Sequence, residues 1–172
     1  MHEHAVAPHS HCSYCGHRFA DGAEWPRACR ACGQVSYRNP VPVVVLAVPV
    51  EDLGVLMVRR VQHPAGLALP SGYIELGERW QDAGARELLE ETGVSIEPHE
   101  IRELWVRSGA DDTLLVFATA PAVTRAELGA FRPSAEVSEL AIVSEPRADV
   151  VFPLDAEVVA ATAWQRAARS AR

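Results

Sequence analysis

Residues 72–94 read GYIELGERWQDAGARELLEETGV and carry five glutamates, Glu75, Glu78, Glu87, Glu90 and Glu91. Glu87 and Glu91 are four residues apart and Glu87 and Glu90 three, so on a helix these carboxylates share one face. Stacking like charges at this spacing costs an isolated helix only ~0.2–0.5 kcal/mol. In a drier cleft the same repulsion reaches about 4 kcal/mol at 4 Å for an effective dielectric near 20. Two readings follow from the charges alone. One is a solvated acidic face. The other is a set of oxygen ligands for a hard divalent cation, Mg2+ or Mn2+, which typically bridges a few carboxylates to substrate phosphates.

A second group of chemistry-bearing residues lies near the start of the chain: Cys12-Ser-Tyr-Cys15-Gly16 and Cys29-Arg-Ala-Cys32-Gly33. Two C-x2-C pairs separated by thirteen residues can place four thiolates around one tetrahedral ion. The glycine after each pair permits the left-handed turn that such a hairpin needs. The doubled spacing, with no secretory segment ahead of it, favours Zn2+ over two disulfides. Four thiolates leave no open position for water, so the expected zinc role is structural. His2, His4, His9 and His11 precede the first cysteine and are read as a solvated tail that can take up metal only adventitiously.

The chain has 172 residues and a formal net charge of −7. The length suits one globular domain with a small appendage. The charge argues against a general nucleic-acid or anionic-membrane binder. All sixteen basic residues are arginine. The bland reading is genomic codon bias, but it leaves no lysine for a Schiff base or a P-loop phosphate contact. No apolar run reaches the ~20 residues of a membrane span, and the first residues lack the apolar core of a signal segment. A cytoplasmic protein is expected.

These residues need elements to position them. Residues 1–11 read as a disordered tail, 12–36 as the cysteine ribbon and 37–172 as the main domain. Residues 41–50 are expected as a strand, turning at 51–54 into a partner strand at 55–60. A short strand is expected at 67–70, a hairpin at 101–108 and 113–120, and a further strand at 138–144. Helical spacing covers 79–91, with Trp80, Ala83 and Leu88 toward a core and Gly93 as the stop. A second helix is expected over 155–169, with Asp155 as its N-cap. Strands and helices in this mixed order predict an α+β fold, a sheet covered by helices.

The acidic stretch has more order than its charges. Gly72 is followed by Glu78, then by Arg86-Glu87-Leu88, Glu90-Glu91 and Gly93-Val94. This resembles the Nudix box, G-x5-E-x7-R-E-U-x-E-E-x-G-U, with U a bulky apolar residue, at every specified position. Flanking strands, the Leu-Pro before the box and the trailing helix extend the resemblance over roughly residues 40–165. It implies a Nudix α/β/α sandwich with a mixed sheet, here preceded by a four-cysteine zinc ribbon. It also implies metal-dependent hydrolysis of a nucleoside diphosphate linked to another moiety. Carried over by position, Glu87, Glu90 and Glu91 would hold Mg2+ or Mn2+ with the Gly72 carbonyl, and Glu78 would act through water on the metal. Arg86 would orient the carboxylates through bidentate pairing. Ser71 stands where many members have glycine, and Ala68 where tryptophan is frequent.

The ribbon resembles that of a subgroup with NADH, FAD and ADP-ribose pyrophosphatases. The NADH enzymes usually carry an SQPWPFPxS-type stretch after the box; here the region reads ELWVRSGADDTLLVFA. ADP-ribose, FAD or a similar compound is therefore expected ahead of NADH. Within PSAEVSEL, Glu136 is a candidate base or extra ligand and Glu139 a second, beside the reading of an ordinary acidic loop. Arg59 and Arg60 end a strand and are candidate phosphate contacts or simply solvated. Tyr73, Trp105 and Phe117 are candidate stacking residues, with core packing favoured for the last two. The expected partner is a small nucleotide, with no membrane, no nucleic acid and a possible homodimer. The rival reading is a non-catalytic Nudix regulator whose ribbon contacts a partner or nucleic acid; the intact box argues against it.

Overall fold

A computed structural model describes residues 7–170, with side chains described through residue 162. His2 and His4 lie outside the described residues. The chain divides at Pro40 into two compact units.

The first unit holds one short antiparallel pair, β1 (Arg27–Ala28) and β2 (Val35–Ser36), and an isolated bridge between His11 and Arg18. Its small core is Cys12, Phe19 and Cys29. Gly16 and Gly33 both have left-handed φ, 73° and 74°, and their amides donate back to the carbonyls of Cys12 and Cys29 at 3.0 and 2.8 Å. Each C-x2-C-G run is thus a tight turn closed by its glycine.

The second unit contains β3 (Val41–Ala47), β4 (Pro49–Val50), β5 (Gly54–Arg60), β6 (Gly66–Ala68), β7 (Ser71–Tyr73), α1 (Trp80–Thr92), β8 (Arg102–Ser108), β9 (Thr113–Thr119), β10 (Val137–Val143) and α2 (Pro153–Ser170). One four-stranded sheet has the order β10-β5-β4, with β6 also on β5; the other has the order β7-β3-β9-β8. The β3–β9 pair is parallel and the remaining pairs are antiparallel, so the fold is α+β with mixed pairing.

Why β3 sits inside its sheet is visible in its residues. Val44 and Leu46 enter one apolar cluster, while Val45 and Ala47 enter another. A strand buried on both faces needs such a continuous apolar run. Ala83 and Leu88 of α1 close the first cluster, and Val158 and Val159 of α2 close the second. The strands therefore lie between two helices. Gly84 lets α1 approach closely, since a Cβ there would stand 3.3–3.4 Å from Leu46, Ile101 and Val44.

Three expectations need correction. The 41–50 segment is not one strand paired with 55–60: only Pro49–Val50 pair there, while Val41–Ala47 runs parallel to Thr113–Thr119. The strand expected at 67–70 ends at Ala68, because the Leu69 amide binds a side chain instead of a neighbouring strand. Asp155 is not an N-cap. The helix starts two residues earlier at Pro153, a residue suited to the first helical position because its missing N–H has no partner there anyway. Strand β8, last in the order of its sheet, carries an irregularity in its register with β9 between Glu103 and Trp105.

Candidate active site and zinc centre

Helix α1 is where the acidic stretch acquires a direction. Its buried residues, Ala83, Gly84, Leu88 and Thr92, turn one face to the core. Gly93 ends it in left-handed geometry, donating to the Leu89 carbonyl at 2.9 Å. Glu87, Glu90 and Glu91 then line one wall of a cavity of about 890 Å3, together with Ser71, Gly72 and Glu136. Glu91 is the most enclosed of them, and its Oε2 accepts the Ser71 amide at 3.1 Å. Burial pushes its carboxyl up to about 8, with the charges of Glu87 and Glu136 adding to the effect. Glu87 is also raised, first by burial, against the pull of Arg86.

Arg86 organises this wall. Nε and Nη2 donate to the two oxygens of Glu78, both at 3.0 Å. Nη1 donates to Glu87 Oε1 at 2.7 Å and lies 3.6 Å from Glu90 Oε2, and Nη2 also reaches the Tyr73 carbonyl at 3.0 Å. Glu78 further accepts the Glu75 amide at 3.1 Å. Its carboxyl is held below the usual range by the Arg86 hydrogen bonds. The structure thus ties Glu78 to Arg86 and not to the cavity wall. Gly72 stands against Glu87 so closely that a Cβ would fall 1.9–2.3 Å from the carboxylate atoms. Gly72 and several carboxylates thus face one hollow, and oxygen donors of this kind are the type a hard divalent ion takes.

The remaining expected residues are distributed as follows. Arg60 lines the cavity, with its guanidinium 5.6 Å from the centre of the Phe152 ring. Arg59 does not: it is ion-paired with Glu139 and, at 3.2 Å, with Asp149. The register places Arg59 directly opposite Glu139, so the two neutralise each other across β5 and β10. Tyr73 is exposed at the cavity rim. Phe117 is buried in the core, and Trp105 packs on it with ring centres 5.8 Å apart.

Sequence reasoning missed several cavity residues. Gln62, Asp111, Phe152 and Asp155 also line it. Asp155 is only 4% exposed and accepts the Leu69 amide at 2.9 Å. Burial raises its carboxyl to about 7. A lone aspartate ahead of an alanine-rich run gives no signal beyond a helix start.

The chain matches the NUDIX domain over residues 40–166. It belongs to that family. The chain is 34% identical over 90 residues to the NAD-capped RNA hydrolase NudC of Salmonella heidelberg (strain SL476), covering 51% of this chain and 35% of that protein. The relative of the same name from Escherichia coli O1:K1 / APEC is 31% identical over the same length. The chain thus spans about a third of the length of these curated relatives. Among solved structures it is similar to a NUDIX hydrolase from Nitrosomonas europaea, with a TM-score of 0.74, 26% identity and coverage of 92% of this chain and 93% of that one. An ADP-ribose pyrophosphatase from Streptococcus suis 89-1591 shares the fold at a TM-score of 0.54 and 20% identity, over 78% of this chain and 96% of that one.

In the first unit the four cysteines form a group of their own. Their sulfurs all lie within 4.8 Å of one another, with Cys12–Cys32 at 3.8 Å and Cys15–Cys29 at 3.6 Å. Four sulfurs at the Zn–S distance of a tetrahedral site stand about 3.8 Å apart. The four cysteines are free of disulfides, and the donor set fits Zn2+. The Tyr14 amide points at Cys12 Sγ at 3.5 Å, which suits a thiolate. Among the described residues no helix is long and apolar enough to cross a membrane.

Proposed function

We propose that the protein hydrolyses the diphosphate bridge of a nucleoside diphosphate linked to a second moiety, with ADP-ribose, FAD or a similar compound favoured. The observation that carries this reading is that Glu87, Glu90, Glu91 and Glu136 all line one large cavity, beside a glycine packed against Glu87. Glu87, Glu90 and Glu91, with the Gly72 carbonyl, would hold Mg2+ or Mn2+. When bound, the ion supplies charge neutralisation for the diphosphate and lowers the pKa of water. Arg86 fixes the carboxylates in place through its fork of hydrogen bonds. A carboxylate of the wall, Glu136 or Glu91, would take the proton of the attacking water; both line the cavity. A new P–O bond forms as the bridging P–O bond breaks, and two phosphorylated products leave.

A second reading comes from the NudC relatives, whose name is NAD-capped RNA hydrolase. The 90-residue identity favours a nicotinamide-type substrate, while residues 103–118 lack the SQPWPFPxS-type stretch. Zn2+ in the cysteine cluster is proposed as structural in either case, in keeping with four sulfur ligands and no open position.

The test is a panel of ADP-ribose, FAD, NADH, NAD-capped RNA and sugar nucleotides with Mg2+ or Mn2+, read as phosphate released after a coupled phosphatase. Turnover of one class with loss on chelation is expected. Inertness toward all of them, alongside tight binding of a nucleotide, would instead favour the regulator.

A further inference from the structure

One buried acid in the cavity has no part in the hydrolysis described above. Asp155 is 4% exposed, and one of its oxygens is bonded by the Leu69 amide at 2.9 Å. Among the described residues no second protein donor bonds to it. A carboxyl group has capacity for further hydrogen bonds beyond one amide, and in either protonation state it keeps an acceptor oxygen. Asp155 lines the cavity, where the Arg60 charge also acts on it, so a ligand seated there can reach its second oxygen.

Its place relative to the carboxylate wall is set by the chain. The Leu69 amide holds Asp155 and the Ser71 amide holds Glu91. Two residues span at most ~7 Å, so the two acids are gripped from neighbouring points of one turn. A group attached to a diphosphate at Glu91 therefore lies within range of Asp155. What that group must be is decided by the walls. Val43 and Leu115 are register neighbours on adjacent strands and form an apolar floor with Val45. Phe152, with Arg60 over its ring, stands beside Asp155. The cavity also holds polar side chains that a sugar can use, Gln62, Ser108, Asp111 and Thr113, whereas against the apolar floor its hydroxyls would be unpartnered. A flat heteroaromatic ring buries its faces on such walls and presents its polar edge to the acid.

We infer that Asp155 is a specificity-determining residue that accepts a hydrogen bond from the exocyclic amine of an adenine-type base, seated between Val43, Val45, Leu115 and Phe152. This deepens the proposed hydrolase reading and rests on it.

The test compares ADP-ribose with its hypoxanthine counterpart, in which the 6-amino group is a 6-oxo group, for wild type and Asp155→Asn, at a pH well above 7 so that Asp155 is ionised and only accepts. Asparagine keeps an acceptor for the Leu69 amide and gains an N–H donor that matches the oxo group. Wild type is expected to favour the amine in kcat/KM by about tenfold or more, and Asp155→Asn to move that ratio toward the oxo compound by a similar factor. A wild-type ratio near one overturns the inference without any mutant. So does an unchanged ratio in a folded, active variant, or hydrolysis of other diphosphates with neither of these two. Failure of wild type to hydrolyse any diphosphate substrate overturns the hydrolase reading, and this inference with it.

Discussion

Arg86 grips Glu78 through two parallel hydrogen bonds, Nε to Oε1 and Nη2 to Oε2, each 3.0 Å long. The same guanidinium reaches Glu87 at 2.7 Å. One planar group thus sets the orientation of two acids. Lysine keeps the charge but not the fork. Arg86→Lys is expected to lower kcat/KM by roughly 10–100-fold, the range for groups that orient metal ligands. Metal titration should show weaker Mg2+ binding, and thermal unfolding should change little, because the pair is partly solvated.

Glu87→Gln and Glu91→Gln are each expected to remove most metal-dependent turnover, by roughly 10^2–10^4-fold. Neither should unfold the chain. Glutamine retains an acceptor for the Ser71 amide and removes a charge that burial disfavours. Steady-state kinetics beside circular dichroism checks both halves. Wild-type rates in either variant would falsify the assignment of the wall.

Gly72→Ala tests the cradle itself. The added methyl would overlap the Glu87 carboxylate, so that side chain must turn away. A loss of kcat comparable to Glu87→Gln is expected, with the fold retained, because the displaced group is a side chain and not backbone. Activity close to wild type would mean that the site tolerates Glu87 elsewhere.

Asp155 gives a pH dependence with a definite sign. Its carboxyl is raised by burial to about 7 in the fold, above its unfolded value. The folded state therefore binds more protons between about pH 4 and 7. This contribution is fully present below the unfolded pKa and is lost as pH rises through 7; the difference is on the order of 4 kcal/mol at most. Acids held low by arginines, such as Glu78 and Asp149, act in the opposite sense, so the comparison must be with Asp155→Asn. Denaturant titrations at pH 5 and pH 8 should show that the substitution stabilises the protein more at the higher pH.

Zinc removal addresses the other unit. Metal analysis should find one Zn2+ per chain, and Cys12→Ser or a strong chelator should release it. The cysteine ribbon is then expected to lose protease resistance, because its core is only Cys12, Phe19 and Cys29. Residues 41–172 carry their own apolar clusters and should keep their thermal transition. Simultaneous loss of both transitions would contradict this.

How much of this could be read in the sequence depends on how local each feature is. Helix α1 follows from spacing and Gly93, both contained in one short stretch. The residues of its face share a direction because the helix repeat requires it. The apolar run of β3 announces burial but not its partner. One of its two partners is β9, about seventy residues later, and alternation along a strand carries no information about which strand lies beside it. Arg59 and Arg60 are adjacent in sequence, yet strand alternation sends one to Glu139 and the other to the cavity. The hydrogen bond from Leu69 to Asp155 joins positions 86 apart, and nothing near either residue indicates it.

The irregularity in β8 has a consequence for the chain outside catalysis. A strand at the margin of a sheet offers unpaired amides and carbonyls to any passing polypeptide. Here the pleat slips by one residue beside Trp105, and arginines flank it at 102 and 107. A visiting strand would lose register midway and meet the charges of Arg102, Glu103 and Arg107, so this margin resists growth into a larger sheet.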